Sequence, residues 1–346
     1  MSDTHLITPP DSQALSAARQ RQACLTKPAG SLGQLEDIAC RFAAWQGQTC
    51  PAALTPAITV FAGDHGVTAE GVSAYPSVVT GEMVKNFVAG GAAICVLARA
   101  IEARLEVVDV GVLSPLDDLP IVHARVRAGT RNLMVEAAMT QEETAQALAA
   151  GREAARRAVA NGANLLIAGD MGIGNTTPSA ALICQFTGAQ PEQVVGRGTG
   201  VDDAGLALKC RVVAQALARL QHRSLSGLDT LAELGGLEIA AMAGFYLEAA
   251  HLGVPALVDG FIAGAAALAA RAIDPAVAGW LLASHCSEET GHALALQALG
   301  LTPLIGIGLR LGEGSGAALC VPLLQLAIRL HNEMATFAEA GVTEKD

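Results

Sequence analysis

The segment Asn164-Leu-Leu-Ile-Ala-Gly-Asp-Met-Gly-Ile-Gly-Asn-Thr-Thr-Pro-Ser-Ala-Ala-Leu182 decides how this chain folds. Its apolar first part predicts a buried strand, and the glycines that follow predict a turn. Thr177 is a suitable N-cap and Pro178 a suitable first residue for the helix after the turn. A strand, a glycine-rich turn and a helix N-terminus direct backbone N–H groups towards an anion. We therefore predict a phosphate or carboxylate site here, in preference to a simple turn.

The same alternation extends along the chain in both directions. Apolar runs that end in polar or glycine-rich turns predict further strands within 58–66, 105–112, 255–261, 278–285 and 304–309. Helical patterns cover 141–161, 238–251 and 317–330, a helix is expected from Ser287, and 79–103 is helical with Gly90-Gly91 at a possible break. Strands separated by helices predict an α/β fold with a parallel sheet whose ligands bind at the carboxyl ends of the strands. A full Gly-x-Gly-x-x-Gly or Gly-Lys-Ser/Thr motif is absent from the sequence.

Both ends of the chain are predicted to be helical outside this sheet. Residues 11–46 show two helical patterns separated by the loop 27–33, where Ser31 can cap the second helix. We expect residues 1–49 and 321–346 to form a small helical subdomain, and residues 50–320 to form the large α/β domain that carries the active site.

Composition excludes several classes of function. The net charge is −11 with only four lysines, which argues against a nucleic-acid partner, because phosphate backbones are bound by Lys/Arg surfaces. The eight cysteines form no Cys-x-x-Cys and lie mostly in apolar segments, so we expect buried free thiols in the cytoplasm. The first residues lack a signal-peptide pattern. The longest uncharged run, 290–309, contains His292, Gln297, Pro303 and four glycines, which argues against a membrane span. The histidines form no ligand pair, so neither a metal nor another cofactor is expected.

A carboxylate framed by glycines follows the last predicted strand, in Gly312-Glu-Gly-Ser-Gly316. Glycines allow the backbone to approach a ligand closely, and the position after a strand suits a catalytic side chain. A solvated loop residue among turn-forming glycines would give the same short pattern.

Two other polar segments have comparable alternatives. The glycine-rich stretch 195–203 precedes a helix that carries Lys209, whose ammonium could neutralise a phosphate or lie on a solvated helix face. Asp64 and His65 follow the first predicted strand, where they could belong to a site or only hydrogen-bond the turn.

Five segments together resemble one enzyme family. They are Lys27-Pro-Ala-Gly-Ser-Leu-Gly33, Gly63-Asp-His-Gly66, Gly169-Asp-Met-Gly-Ile-Gly-Asn-Thr-Thr-Pro178, Val258-Asp-Gly-Phe261 and Leu309-Arg-Leu-Gly-Glu-Gly-Ser-Gly-Ala317. They are similar, in the same order, to motifs of the nicotinate-nucleotide–dimethylbenzimidazole phosphoribosyltransferases of cobalamin biosynthesis, and the match extends from about Lys27 to His331. The resemblance implies a Rossmann-like parallel sheet flanked by helices, a small helical domain, and a homodimer.

The resemblance also implies an activity and a set of site residues. Phosphoribose would pass from nicotinate mononucleotide to 5,6-dimethylbenzimidazole, with inversion at the anomeric carbon, to give α-ribazole 5′-phosphate and nicotinate. Glu313 corresponds to the general base of the family, and Asp170 is the second carboxylate, where some members carry glutamate. The implied phosphate site comprises Gly174, Asn175, Thr176, Thr177, Gly198, Gly200 and Lys209. The implied pocket for the base comprises Tyr75, Met83, Leu311 and Gly312.

Two other functions remain open from the residues themselves. A nicotinate mononucleotide hydrolase would need water where the benzimidazole binds, and an apolar slot favours an aromatic acceptor instead. A non-catalytic nucleotide-binding regulator would gain nothing from a carboxylate in the glycine loop, because that charge repels a phosphate.

Overall fold

A six-stranded, all-parallel sheet forms the centre of the molecule in the computed structural model, which describes residues 6–343. The strands are β1 (Pro56–Gly63), β2 (Arg104–Gly111), β3 (Val122–His123), β4 (Leu165–Met171), β5 (Ala256–Val258) and β6 (Leu281–Ala283). Their order in the sheet is β3-β2-β1-β4-β5-β6. This is the strand order of a doubly wound Rossmann sheet, in which ligands bind where the order reverses. The predicted α/β, Rossmann-like fold is therefore confirmed, and the reversal lies between β1 and β4.

The helices precede the first strand, occupy most of the segments between the strands and follow the last one. They are α1 (Ser12–Cys24), α2 (Gln34–Gln46), α3 (Val78–Ala89), α4 (Ala93–Ala100), α5 (Gln141–Ala160), α6 (Thr176–Thr187), α7 (Pro191–Val194), α8 (Asp203–Ala218), α9 (Gly227–Leu234), α10 (Leu237–His251), α11 (Phe261–Ile273), α12 (His292–Leu299), α13 (Ser315–Glu333) and α14 (Phe337–Ala340). Short 3₁₀ helices span Gly66–Glu70 and Pro275–Trp280.

The central strands are buried along their length, which explains why they appear in the sequence as continuous apolar runs. Every residue of β1 is buried, as is β4 up to Asp170. The register pairs Phe61 of β1 with Asp170 of β4, and Gly63 with Gly111 of β2. The polar residues that follow these strands are thereby brought to one edge of the sheet.

Small residues allow the helices to pack closely, as the glycine-rich composition suggests. Helix α10 is buried from Leu237 to Ala250 and packs on α5. A Cβ on Gly151 would lie 1.7 Å from the carbonyl oxygen of Ala241, and one on Gly244 would lie 2.0 Å from that of Leu148. These two helices therefore touch backbone to backbone, at a separation that any side chain would prevent.

The prediction of a strand at 304–309 is wrong. Only Ile305 pairs with the sheet, through a single parallel bridge to His285, and Ile307 is 62% exposed. Gly306 and Gly308 interrupt the run and offer no side chain to bury, so the segment crosses the surface as a loop. The helix predicted after it is confirmed and runs from Ser315 to Glu333.

Three predicted helix starts are also wrong, by a few residues. Helix α6 begins at Thr176 after Asn175, so Thr177 lies within the first turn and does not cap it. Helix α2 follows Gly33, whose φ of 56° is favourable only for glycine, and Ser31 makes no cap. The helix expected from Ser287 begins at His292.

The segment Val78–Ala100 is, within residues 6–343, the one stretch long and apolar enough to cross a membrane by length and composition alone. Its backbone turns into the left-handed region at Gly90, with a φ of 78°, and the helix ends there. Helices α3 and α4 are therefore two short segments, as the Gly90-Gly91 pair suggested.

The N-terminal helices lie against the C-terminal one. The Arg21 guanidinium donates to the carbonyl oxygens of His331 at 2.8 Å and Asn332 at 2.9 Å. Leu25 forms an antiparallel bridge with Thr336. These contacts agree with a small helical subdomain of residues 1–49 and 321–346, which stays a prediction; residues 1–5 and 344–346 lie outside the described range.

All eight thiols are free, as predicted. Four of them, Cys40, Cys95, Cys184 and Cys320, are buried. The expectation of burial is wrong for Cys24 and Cys50, which are exposed.

Candidate active site

A cavity of about 450 Å³ lies at the edge of the sheet where β4 ends. Its walls come from loops after β4, β5 and β6, from α3 and from the segment before it, and from the loop that precedes α13. Nine of the residues proposed from the sequence line it: Tyr75, Met83, Asp170, Asn175, Thr176, Gly198, Leu311, Gly312 and Glu313. The other four do not line it: Gly174, Thr177 and Gly200 are next in sequence to residues that do, and Lys209 hydrogen-bonds Thr176.

Glu313 is held in a strained backbone conformation. Its φ is 63°, between Gly312 at 88° and Gly314 at 84°, and a side chain in this left-handed region is uncommon. The loop also lies directly on β4, because a Cβ on Gly169 would be 2.3 Å from both the carbonyl carbon and the oxygen of Glu313. Strain of this kind persists only where the surrounding structure imposes it, and it is concentrated at functional sites.

The Glu313 carboxylate is buried at the start of a helix. Its Oε2 accepts a hydrogen bond of 3.4 Å from the backbone N–H of Ile94, in the first turn of α4. Burial raises the pKa of Glu313, and the Ile94 N–H opposes that shift. A carboxylate of raised pKa is a stronger base than one in water, which suits proton abstraction near neutral pH.

Asp170 lies beside the Glu313 loop. Both of its carboxylate oxygens are 3.2 Å from the position of a Cβ on Gly312, and its Oδ2 accepts from the Asn175 side-chain amide at 2.9 Å. Burial raises the pKa of Asp170 to about 8, and the nearby carboxylates, Asp259 first, contribute to the shift. The site thus favours any ligand that brings positive charge next to Asp170.

Asp259 fixes the position of the Glu313 loop and was not predicted as a site residue. Its carboxylate accepts from the backbone N–H groups of Gly314 at 3.2 Å and Ala317 at 2.8 Å, at the N-terminus of α13. Burial raises its pKa to about 7, against the effect of these hydrogen bonds. The sequence did contain a signal, since Asp259 follows β5 directly and precedes Gly260 in one of the five motifs.

Lys209 connects the two glycine-rich loops from behind the cavity. It is 1% exposed, and its Nζ donates to Thr176 Oγ1 at 2.9 Å and to the Gly196 carbonyl oxygen at 3.1 Å. Burial lowers the pKa of this ammonium. The alternative that Lys209 lies on a solvated helix face is therefore wrong. Its ammonium lies next to Gly198, because a Cβ on Gly198 would be 2.8 Å from Lys209 Nζ.

Asp64 and His65 do not line the cavity, and both side chains are buried and hydrogen-bonded to other parts of the chain. Asp64 accepts from the Thr80 hydroxyl at 2.6 Å and from Leu113 N–H at 2.8 Å. His65 Nε2 lies 2.7 Å from Glu238 Oε1, and both side chains are fully buried. Burial alone would lower the pKa of His65, but the Glu238 carboxylate outweighs it and the pKa is raised. The side chains of Asp64 and His65 thus connect the turn to α3, to the segment after β2 and to α10, so they neither line the cavity nor hydrogen-bond only the turn.

Several lining residues were missed by the sequence analysis. They are chiefly Phe261, His285, Ser287, Glu289 and Arg310. Phe261 and Arg310 stand within the motifs quoted above, whereas His285, Ser287 and Glu289 lie in the loop after β6, which has no glycine frame to mark it. Within residues 6–343, no group of three or more His, Cys, Asp or Glu side chains is arranged to hold a metal ion.

A phosphoribosyltransferase family model matches residues 7–342. The chain belongs to this family. The protein named nicotinate-nucleotide–dimethylbenzimidazole phosphoribosyltransferase from Chromobacterium violaceum is 72% identical over 337 residues, which cover 97% of this chain and 98% of that relative. A protein of the same name from Pseudomonas aeruginosa is 54% identical, covering 97% and 96%.

Solved structures agree with the family assignment. The crystal structure of CobT from Thermus thermophilus superposes with a TM-score of 0.93 at 52% identity, and the match covers 96% of this chain and 100% of that one. The family that the five motifs predicted is therefore confirmed over nearly the whole chain.

Proposed function

We propose that this chain transfers phosphoribose from nicotinate mononucleotide to 5,6-dimethylbenzimidazole, giving α-ribazole 5′-phosphate and nicotinate. The observation that carries the proposal is the buried Glu313 carboxylate, presented to the cavity by a left-handed loop between two glycines. The names of the full-length relatives support the same activity.

Glu313 acts as the general base. It takes the N–H proton of the benzimidazole while the other ring nitrogen attacks C1′ of the ribose. The bond from C1′ to the pyridinium nitrogen breaks, and its electron pair stays on nicotinate, whose ring becomes neutral. Positive charge develops on the ribose in the transition state, and Asp170 stabilises that charge in its ionised form. A neutral leaving group needs no acid, so the proton removed by Glu313 is the only one transferred in this step.

The 5′-phosphate binds where the two glycine-rich loops meet. Gly174, Gly198 and Gly200 have φ values of 89°, 52° and 102°, conformations that let the loop backbone approach an anion. The N-terminus of α6, formed by Asn175, Thr176 and Thr177, contributes its positive end. Lys209 contributes the charge from behind the loops, because its Nζ has a third N–H beyond those used by Thr176 and Gly196.

The benzimidazole binds at the open side of the cavity. Tyr75, Met83, Leu311 and Gly312 line this part, and Tyr75 and Leu311 are exposed although they are large and apolar. A flat aromatic acceptor would cover them, which favours transfer over hydrolysis.

The same exposed surface supports a homodimer. Val78 and Val96 on α3 and α4 are also exposed, so apolar side chains extend from the cavity onto the helices beside it. Sedimentation should give a mass of about twice 35.2 kDa, and a monomer at micromolar concentration would contradict the dimer. We also propose that the protein works in the cytoplasm, where its free thiols stay reduced.

The activity is tested by nicotinate release from nicotinate mononucleotide with and without dimethylbenzimidazole. The proposal predicts release only when the acceptor is present. Release without it would indicate a hydrolase, and binding without release under either condition would indicate a regulator.

A further inference from the structure

Glu289 lines the cavity with a carboxylate to which no side chain or backbone group of residues 6–343 donates a hydrogen bond. It lies in the loop between β6 and α12 and is only 8% exposed. Its Oε2 is buried without a hydrogen-bond donor, and none of the described residues donates to its side chain. An ionised carboxylate only accepts hydrogen bonds, and leaving it buried without donors costs stability. The arrangement therefore points to a ligand that supplies the donors.

The chemistry of nicotinate mononucleotide leaves one group that fits. Its phosphate and its carboxylate are anionic acceptors, which the Glu289 charge repels, and its pyridinium nitrogen carries no hydrogen. The N–H of the acceptor base is used by Glu313 in the proposed mechanism. The donors that remain are the 2′- and 3′-hydroxyl groups of the ribose.

The position of Glu289 agrees with this assignment. Its Oε2 would lie 2.1 Å from a Cβ on Gly196, so it sits against the loop whose carbonyl oxygen holds Lys209. Asp170 lies in the same cavity beside Glu313. Because Glu289, Asp170 and Gly198 all line this cavity, a nucleotide with its phosphate at the glycine-rich loops and C1′ beside Asp170 holds its ribose in the same cavity as the Glu289 carboxylate.

We propose that Glu289 is a specificity-determining residue that accepts hydrogen bonds from the ribose hydroxyls and so selects ribonucleotides over deoxyribonucleotides. This inference rests on the proposed function, because it takes the donor to be nicotinate mononucleotide. Carboxylates bind ribose hydroxyls in the same way in dinucleotide-binding Rossmann folds.

A purely electrostatic role is the alternative. The Glu289 charge acts on the Lys209 ammonium, although the two do not come within 4 Å to form an ion pair among the described residues. If Glu289 served only as a counter-charge for Lys209, its removal would change the binding of every 5′-phosphorylated nucleotide to the same extent, whatever the sugar.

The experiment compares nicotinate mononucleotide with its 2′-deoxy and 3′-deoxy analogues. Affinity is measured by calorimetry and kcat/KM by nicotinate release, for the wild type, Glu289→Ala and Glu289→Gln. Glu288→Gln is the matched control, because Glu288 is adjacent but exposed and outside the cavity lining. Glu289→Gln keeps the size of the side chain, so at least one variant should fold.

We expect the wild type and Glu288→Gln to prefer the ribonucleotide over at least one deoxy analogue by about 10- to 100-fold, the range of one charge-assisted hydrogen bond. In Glu289→Ala the preference should fall to within about threefold, since the mutation and the missing hydroxyl remove the same contact. An undiminished preference in Glu289→Ala, or none in the wild type, would overturn the inference. Failure of the proposed function would appear separately, as nucleotide binding without acceptor-dependent release, and the affinity ratios would still decide the role of Glu289.

Discussion

Replacement of Glu313 by glutamine removes the proposed base while it keeps the loop. The glutamine side-chain oxygen can still accept from the Ile94 N–H, which now lies 3.4 Å from Oε2. Gly312, Gly314 and the contact with Gly169 are unchanged, so the left-handed backbone should persist. Burial raises the pKa of Glu313, which means that the buried charge is unfavourable, and the neutral amide should not lower the stability of the fold.

The expected loss follows from the chemistry of the step. General-base catalysis contributes about 10²–10⁴-fold, or about 3–5 kcal/mol in the activation free energy. Glu313→Gln should therefore lower kcat by this factor, with little change in the affinity for nicotinate mononucleotide. The wild-type kcat should also fall with decreasing pH, through a pKa above the usual value for glutamate, because the base must be ionised. The kcat of the variant should not show this fall at low pH.

The assay is steady-state nicotinate release at saturating dimethylbenzimidazole over a range of pH. Circular dichroism and nucleotide calorimetry establish that the variant folds and binds. Glu288→Gln serves as the exposed control and should keep wild-type kcat. A Glu313→Gln protein with more than about a tenth of the wild-type kcat would refute the assignment of the base.

Three further predictions concern groups around Glu313. Lys209→Met should weaken nicotinate mononucleotide binding by about 1.5–3 kcal/mol and leave the dephosphorylated nucleoside unaffected; equal losses for both would exclude a phosphate contact. Asp170→Asn should lower kcat with little effect on nucleotide affinity, and full kcat would exclude the electrostatic role. The folded-state pKa of Asp170 is about 8, so its contribution to the free energy of unfolding is fully present below the unfolded pKa of about 4 and is lost as the pH rises towards 8. In denaturant titrations over this pH range, the free energy of unfolding should therefore fall less steeply for Asp170→Asn than for the wild type. Gly169→Ala should cost about 1–3 kcal/mol or more and reduce kcat, because its Cβ would meet the Glu313 backbone at 2.3 Å, whereas Gly306→Ala, with open space around it, should do neither.

Much of the fold was predictable because the buried strands of a parallel sheet appear in the sequence as continuous apolar runs. Strands β1, β2 and β4 are largely apolar runs with a glycine or aspartate among their last two residues, and all three were predicted within a few residues. The wrong prediction of a strand at 304–309 shows where this sequence pattern fails. An apolar run of this length predicts burial, but Gly306 and Gly308 remove the side chains that would have secured it.

The site was predictable where glycine frames a polar residue, and less so elsewhere. Glu313, Asp170 and Asn175 line one cavity as expected, because their loops follow strands or begin helices at the same edge of the sheet. Glu289 reaches the cavity from a loop without such a pattern, and Asp259 acts through two backbone N–H groups. Asp259 stands in one of the five motifs, but its hydrogen bonds to the Glu313 loop, like the position of Glu289 in the cavity, become visible only when the chain is folded.

The configuration of the product tests the central claim most directly. Nicotinate mononucleotide and dimethylbenzimidazole are incubated with the protein, and the new nucleotide is examined by mass spectrometry and by NMR at its anomeric carbon. The proposed in-line displacement assisted by Glu313 predicts one α-configured benzimidazole ribonucleotide 5′-phosphate for each nicotinate released. A β-configured product, or ribose 5-phosphate in its place, would contradict it.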